Sequence, residues 1–163
     1  MNAIGTGLKD AYLITNQKFE DERGFFIESF NLKEFRKIVG YDVDFVQDNH
    51  SRSICGVLRG LHYQIEHPQG KLVRCVSGAV YDVIVDLRKT SPTFGQWYGI
   101  KLDSDDLQLW VPPGFAHGFY VTSNIAEVTY KVTDYYYPEY SKSLIWNDPE
   151  LNIYWGNIEN LII

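Results

Sequence analysis

The sequence predicts an all-β fold, arranged as a sandwich or a small barrel. Aromatic residues make up 15% of the chain, and aromatic side chains suit the half-buried surface of a sheet. Short apolar or alternating segments recur about every ten residues, separated by Gly, Pro, Asn and Asp, as in sandwiches and barrels. The length of 163 residues matches one domain, so residues 1–163 are predicted to form a single domain.

Seven segments carry a strand pattern, bounded by turn residues. They are residues 25–30, 72–76, 80–87, 97–102, 107–111, 117–122 and 127–133. Ser77 and Gly78 separate the second segment from the third, and a tight glycine turn at this place predicts a hairpin. Within residues 80–87 the even-numbered side chains share one face of the strand, and the odd-numbered side chains share the other.

One short helix is predicted near the N-terminus. Leu32, Phe35 and Val39 recur at helical spacing, so they would form one apolar face. Asn31, with an acidic residue three positions later, is typical of a helix start, and Gly40 is typical of a helix end.

The overall charge argues against a polyanionic partner. The formal net charge is −6, which should repel nucleic acid and anionic lipid. Residues 49–75, however, contain four Lys or Arg, three His and one acidic residue. This stretch suits a small anionic ligand, although carboxylates distant in sequence could also balance it in space.

Several patterns point to a cytoplasmic protein without a membrane span. No apolar run is long enough for a bilayer helix, and the N-terminus lacks the basic and apolar segments of a secretory signal. Cys55 and Cys75 are far apart in sequence and form no Cys-x-x-Cys pair. Two such cysteines are more typical of buried apolar positions than of a disulfide or a metal site.

The sharpest motif is WVPPGFAHGF at residues 110–119, which resembles the second signature of the cupin barrels. Many cupins bind a metal through this histidine, two histidines of an earlier His-x-His pair and a carboxylate. Here the earlier strand reads RGLHYQ, so His62 and His117 lack the other histidine. We therefore predict neither a metal nor another cofactor.

His62 and His117 then require another role. An imidazole with an ordinary pKa of about 6.5 can act as a neutral base at cellular pH. Arg59 and Lys71 would lower the pKa of a neighbouring histidine and could hold an anionic substrate or stabilise an enolate. This combination suits proton abstraction next to a carbonyl group, although a lone histidine is more often structural.

Six motifs in register resemble the dTDP-4-dehydrorhamnose 3,5-epimerase family, which consists of metal-free enzymes of cupin type. The resemblance runs from about residue 9 to residue 155. The motifs are DERGFF at 21–26, FVQDNHSRS at 45–53, GVLRGLH at 56–62, QGKLVRC at 69–75, SPTFGQW at 91–97 and PGFAHGF at 113–119. The family fold implied is a double-stranded β-helix, or jelly roll, with one or two short helices.

The resemblance implies a reaction and three catalytic residues. The family takes a proton from C5 and then from C3 of a 4-keto sugar, which converts dTDP-4-dehydro-6-deoxy-D-glucose to dTDP-4-dehydro-L-rhamnose. His62 would be the base, Lys71 would stabilise the enolate oxygen and Tyr130 would donate the proton from the opposite face. Asp82 would point inward, where it could orient a histidine or neutralise the lysine, without being catalytic.

The resemblance also implies the binding residues and the assembly. Arg59 and His117 would line the sugar and diphosphate pocket, and Tyr136 would stack on thymine. The remaining nucleotide contacts would be Arg23, Glu28, Gln47 and Asn49, some of them reaching from the partner subunit of a homodimer. Arg23 and Glu28 could equally form a surface pair. The pathway implied is the synthesis of dTDP-rhamnose for cell-surface polysaccharides.

Two departures from the family pattern affect these expectations. Ser141 occupies a position that is acidic in the family, which puts one sugar or base contact in doubt. Family members also continue past the position of Ile163 with a Lys-Asp pair, whose aspartate hydrogen-bonds the catalytic histidine. Either this sequence stops short of that segment, which we favour, or the natural chain is shorter. In the second case we expect slower proton transfer rather than none.

Two alternatives stay open at this point. The first is a mono-epimerase that acts at C3 or C5 alone, or on another nucleotide-linked 4-keto sugar, because both carbons use the same base and enolate. The second is a non-catalytic cupin that binds a sugar nucleotide. The presence of His62, Lys71 and Tyr130 argues against the second alternative.

Overall fold

The computed structural model describes all 163 residues and consists of two facing antiparallel sheets with one short α-helix. The elements in chain order are β1 (Asn2–Gly5), β2 (Tyr12–Thr15), β3 (Lys18–Asp21), β4 (Gly24–Ile27), α1 (Leu32–Val39), β5 (Gln47–Ile54), β6 (Leu58–Gln64), β7 (Lys71–Ser77), β8 (Val80–Asp86), β9 (Trp97–Leu102), β10 (Leu107–Val111), β11 (Phe115–Val121), β12 (Ile125–Val132), a 3₁₀ turn (Pro138–Tyr140) and β13 (Ser141–Ser143). None of the helical segments has the length and apolarity that crossing a bilayer requires.

The larger sheet has the strand order β1-β2-β10-β7-β12-β5, and the smaller sheet has the order β13-β6-β11-β8-β9. Strands β3 and β4 form a separate hairpin. Successive strands repeatedly cross from one sheet to the other, which is the connectivity of a jelly roll. The predicted all-β, cupin-type fold with one or two short helical segments is therefore confirmed.

Three apolar clusters hold these layers together. The main cluster lies between the sheets and includes Val73, Ile84 and Leu109, all fully buried. A second cluster joins the outer face of the smaller sheet to the C-terminal segment through Val83, Val85 and Trp155, among others. A third packs α1 onto the outer face of the larger sheet. Buried apolar area of this extent is the main stabilising contribution to the fold.

The predicted hairpin at Ser77 and Gly78 is wrong. Strand β7 pairs with β10 on one side and β12 on the other, so it has no free edge for β8. Strand β8 instead lies between β11 and β9 in the opposite sheet. The turn crosses the sandwich, and this is consistent with burial on both faces of β8. The predicted alternation within β8 is confirmed, since even and odd positions face different clusters.

The predicted helix is confirmed with its ends. The side chain of Asn31 accepts a hydrogen bond from the backbone N–H of Glu34 at 3.3 Å, and Gly40 ends the helix at a φ of 80°. Phe35 and Val39 are buried against Trp110 and its neighbours. The strand predicted at residues 25–30 ends earlier, at Ile27, because Phe30 turns in to contact Phe35 and Phe45.

Candidate active site

A bulge in β6 brings Arg59 and His62 to the same side of the smaller sheet. In a regular strand, residues three positions apart point to opposite faces. Here His62 pairs with His117 and Arg59 pairs with Phe119, so four residues of β6 span the length of three residues of β11. A bulge of this kind re-aims side chains next to a site.

Glycines make the bulge possible. Gly60 has a φ of +106°, a backbone conformation that side-chain-bearing residues rarely adopt. A Cβ atom at this position would lie 2.6 Å from the Cα atom of Gly118 and 2.6 Å from the carbonyl oxygen of His117. The close approach of β6 to β11 therefore depends on the absence of a side chain at Gly60.

Two adjacent cavities share His62, Lys71 and Tyr130 in their walls. The first cavity, of about 360 Å³, opens beside the loops that follow β6 and β12. The second cavity, of about 430 Å³, lies beside the bulge and is also lined by Arg59, His117 and Phe119. His62 comes from the smaller sheet, whereas Lys71 and Tyr130 come from the larger sheet. The predicted catalytic trio thus faces common space from both sheets.

Asp82 and His117 form a buried pair behind this trio. Nε2 of His117 lies 3.0 Å from each carboxylate oxygen of Asp82, and both residues are buried. A carboxylate can only accept, so the imidazole N–H donates and its ring is held in one orientation. Asp82 thus orients His117. No side chain hydrogen-bonds the ring of His62.

Lys71 is buried at the start of β7, 9% exposed. Burial lowers the pKa of its ammonium group to about 8, and the attraction of Asp82 opposes this fall. With a pKa of about 8, Lys71 is roughly nine-tenths protonated at pH 7. It therefore presents a positive charge to the shared space, and this charge is lost under mildly alkaline conditions.

The other two members of the trio are held in their neutral forms. Partial burial lowers the pKa of His62 below 6.5, and electrostatic interactions with Lys71, His117 and Arg59 lower it further. Burial raises the pKa of Tyr130 above 10, with Arg59 acting in the opposite direction. At neutral pH the site therefore contains an unprotonated imidazole that can accept a proton and a protonated phenol that can donate one.

Most of the predicted binding residues line the cavities. Gln47, Asn49 and Tyr136 lie in the wall of the first cavity, and the Gln47 side chain donates to the Asn49 side-chain oxygen at 2.8 Å. Arg59 and His117 lie in the wall of the second cavity, and Arg59 Nε donates to Ser53 Oγ at 3.0 Å. Their roles toward a ligand remain predictions.

Arg23 and Glu28 lie outside both cavities. Arg23 sits at the tip of the β3–β4 hairpin, where it pairs with Asp21 and is 84% exposed. Glu28 follows β4, is exposed and accepts a hydrogen bond from the side chain of Asn31. Within one chain these residues therefore behave as surface residues.

The structure adds residues that the sequence reasoning did not assign to the site. Ser51 and Phe119 line the second cavity, and Ile163 at the end of the chain lies beside them. Gln64, Gln69 and Phe115 also line the first cavity. Ser141, whose position the resemblance had linked to a sugar or base contact, lies in the same wall. Gln64 and Phe115 belong to the motifs that flank His62 and His117, so proximity in sequence was an available signal. Ser51 belongs to the motif at residues 45–53, and its spacing of two from Asn49 along a strand was also an available signal.

Metal-ligating side chains do not cluster in this molecule. No group of three or more His, Cys, Asp or Glu side chains is placed to hold one ion. Cys55 is exposed, Cys75 is buried and both are free thiols.

Comparison with known proteins identifies the family. A family model described as dTDP-4-dehydrorhamnose 3,5-epimerase matches residues 5–163. The chain belongs to this family. The dTDP-4-dehydrorhamnose 3,5-epimerase of Pseudomonas aeruginosa is 54% identical, over 95% of this chain and 86% of its own length. The enzyme of Escherichia coli is 53% identical, over 100% of this chain and 89% of its own length.

The backbone of this family member also matches solved epimerase structures. The dTDP-6-deoxy-D-glucose-3,5-epimerase of Legionella pneumophila, solved in complex with dTDP-4-keto-L-rhamnose, superimposes with a TM-score of 0.95. It is 50% identical and covers 99% of this chain and 86% of its own. The predicted resemblance to the epimerase family is therefore confirmed, and so is assignment to the epimerase class of isomerases.

Proposed function

We propose that this protein inverts C3 and C5 of dTDP-4-dehydro-6-deoxy-D-glucose to give dTDP-4-dehydro-L-rhamnose. The observation that carries the proposal is the shared space between the sheets. A neutral imidazole from one sheet meets a protonated phenol and a cationic amine from the other. The names of the relatives support the sugar nucleotide, because family members more than half identical are named dTDP-4-dehydrorhamnose 3,5-epimerases.

The chemistry follows from the positions of these groups. His62 takes the proton from C5, and the electron pair of that C–H bond moves into an enolate on the 4-keto oxygen. Lys71 stabilises this oxygen through its positive charge. Tyr130 then delivers a proton to C5 from the opposite face and recovers one from solvent, while His62 releases its proton. The same steps at C3 complete the reaction.

In this proposal each cavity binds a different part of the substrate. Gln47 and Asn49 bind the nucleotide in the first cavity, and Tyr136 stacks on the thymine. Arg59 and His117 bind the sugar and the diphosphate from the second cavity. Ser141 lies in the wall of the first cavity at a position that is acidic in the family, so this proposal assigns no sugar or base contact to it.

A direct assay tests this function. The protein is incubated with dTDP-4-dehydro-6-deoxy-D-glucose, and the ring-proton couplings of the product are read by NMR. Inversion at both C3 and C5 is expected. Inversion at one carbon would make the protein a mono-epimerase. Unchanged substrate would favour the alternative of a non-catalytic cupin that binds a sugar nucleotide.

The pKa of Lys71 predicts an alkaline limit to activity. His62 must be unprotonated, so kcat/KM should rise with pH through the pKa of His62, below 6.5. Lys71 must be protonated, so kcat/KM should fall again above pH 8, as the amine with its pKa of about 8 loses its charge. Initial rates at subsaturating substrate between pH 5 and pH 10 measure both limbs.

Lys71→Arg provides the matched control for this profile. A guanidinium stays charged throughout this pH range, so the limb near pH 8 should disappear while the acid limb stays. If the alkaline limb of Lys71→Arg coincides with that of the unmodified protein, another group is responsible.

We further propose a cytoplasmic homodimer that serves the synthesis of cell-surface polysaccharide. Three phenylalanines of the β3–β4 hairpin, Phe19, Phe25 and Phe26, are each more than half exposed, and β5 has an unpaired edge. Apolar surface of this kind commonly marks an interface. A partner subunit covering it would allow Arg23 to reach the other protomer's cavity.

Light scattering tests the assembly. The unmodified protein should have twice the 18.9 kDa mass of the chain, and Phe26→Asp should shift the population toward monomer with reduced turnover. A monomer with full turnover would contradict the dimer.

A further inference from the structure

The side chain of Gln64 connects two loops at the mouth of the first cavity. Gln64 ends strand β6, two residues after His62, and is only 7% exposed. Its Nε2 donates to the carbonyl oxygen of His67 at 2.7 Å and to that of Tyr135 at 3.2 Å. Its Oε1 accepts from the backbone N–H of Tyr137 at 2.8 Å. One buried amide thus joins the loop after β6 to the loop after β12.

Two of these hydrogen bonds lie on either side of Tyr136. The carbonyl group of Tyr135 and the backbone N–H group of Tyr137 both hydrogen-bond the side-chain amide of Gln64, so the two bonds flank Tyr136 in sequence. The ring of Tyr136 is 56% exposed, lines the first cavity and makes no side-chain hydrogen bond of its own. The direction of this ring therefore depends on the backbone that Gln64 holds.

No other side chain could make the same three bonds from this position. The glutamine side chain ends in an amide that offers two N–H donors and one carbonyl acceptor. Glutamate would face two backbone carbonyl oxygens without a donor, and leucine of similar size would leave two carbonyl groups and one N–H unpaired. Partly buried backbone groups without partners are costly, so the loop would move to find new ones.

A neighbouring contact reinforces the same arrangement. Gln69 Nε2 donates to the carbonyl oxygen of Asp134 at 2.8 Å, and the ring of His67 lies 4.6 Å from that of Tyr137. The two loops therefore contact each other over several residues, but Gln64 alone reaches both sides of Tyr136.

We propose that Gln64 is a positioning residue that sets nucleotide affinity by fixing Tyr136 in the wall of the first cavity. This inference rests on the proposed function, in which Tyr136 stacks on the thymine. Gln64 acts through Tyr136 and does not touch the reacting carbons. Its loss should therefore weaken binding of the nucleotide and leave the proton transfers largely intact.

Gln64→Leu is the variant that tests the proposal. We expect KM for the sugar nucleotide and Kd for dTDP to rise about tenfold, the range expected when a base loses an aromatic partner. We expect kcat to stay within about threefold. Gln108→Leu is the matched control, since Gln108 is also a buried glutamine that donates to a backbone carbonyl, that of Ser29, but on the outer face of the larger sheet.

A double-mutant cycle with Tyr136→Ala separates positioning from general loosening. If Gln64 acts through Tyr136, Gln64→Leu should change Kd for dTDP little once the tyrosine ring is absent. Equal Kd for the unmodified protein and Gln64→Leu would overturn the inference, and so would a tenfold rise that persists in the Tyr136→Ala background. Calorimetric titration with dTDP needs no turnover, so an inactive protein would contradict the proposed function without deciding the role of Gln64.

Discussion

His62→Ala should abolish deuterium exchange at both C3 and C5 of the substrate. Every step of the proposed reaction begins with proton transfer to this ring, which faces the shared cavity space with a lowered pKa. Loss of a positioned general base typically costs about 10²–10⁴-fold in rate. The experiment incubates the variant with substrate in deuterated water and follows label at each carbon by NMR.

His50→Ala is the control for this variant. His50 lies on β5, is exposed and pairs with Glu127 at 2.9 Å, so it lines neither the first nor the second cavity. The His50→Ala variant should exchange the protons at C3 and C5 at the rate of the unmodified protein. If His62→Ala retains that rate at either carbon, the base at that carbon is another residue.

Tyr130→Phe should separate proton removal from inversion. The phenylalanine ring keeps the packing of Tyr130 against the main core cluster, so the change removes the hydroxyl group and little else. His62 can still take a proton and, after exchange with water, return a deuteron to the same face. Recovered substrate should therefore carry label with its configuration unchanged, while epimerised product falls by about 10²–10⁴-fold.

Tyr98→Phe is the matched control for the tyrosine. Tyr98 also packs against the main core cluster, and burial likewise raises the pKa of its phenol, but it does not line the cavities that hold His62. It should invert both carbons normally. Product formation at the normal rate by Tyr130→Phe would show that the proton on the opposite face comes from another donor.

The sequence predicted strands β7, β8, β11 and β12 of the site because their signals are local, whereas β5 was not among the predicted segments. Alternation placed Asp82 on the same face as Ile84, and the structure confirms that this face points inward. The helix ends at Asn31 and Gly40 were equally local, since each depends on one side chain or one backbone conformation. The family motifs then brought His62, Lys71 and Tyr130 together without any knowledge of the sheet order.

The errors and omissions concern contacts between distant segments. The hairpin at Ser77 and Gly78 was wrong because a turn sequence does not show which strands already occupy both edges of β7. Alternation alone would have placed Arg59 and His62 on opposite faces, and the bulge at Gly60 reverses this. Gln64 went unnoticed because its hydrogen-bond partners lie up to 73 positions away.

The buried carboxylate of the site has both of the roles that the sequence suggested for it. Asp82 hydrogen-bonds His117, and it also attracts Lys71. The negative charge of Asp82 therefore lies close to Lys71 and His117, which line the cavities. The pKa of Lys71 is higher than burial alone would make it, so the lysine keeps its charge at neutral pH.

The most direct test of the central claim is the count of deuterons that the unmodified protein places on its product. If one base and one opposing acid serve both carbons, product formed in deuterated water should carry label at C3 and at C5, with both centres inverted. Label at both carbons, lost together in His62→Ala, is the expected result. Product that is inverted at C3 or C5 but lacks deuterium at that carbon would contradict proton exchange through His62 and Tyr130.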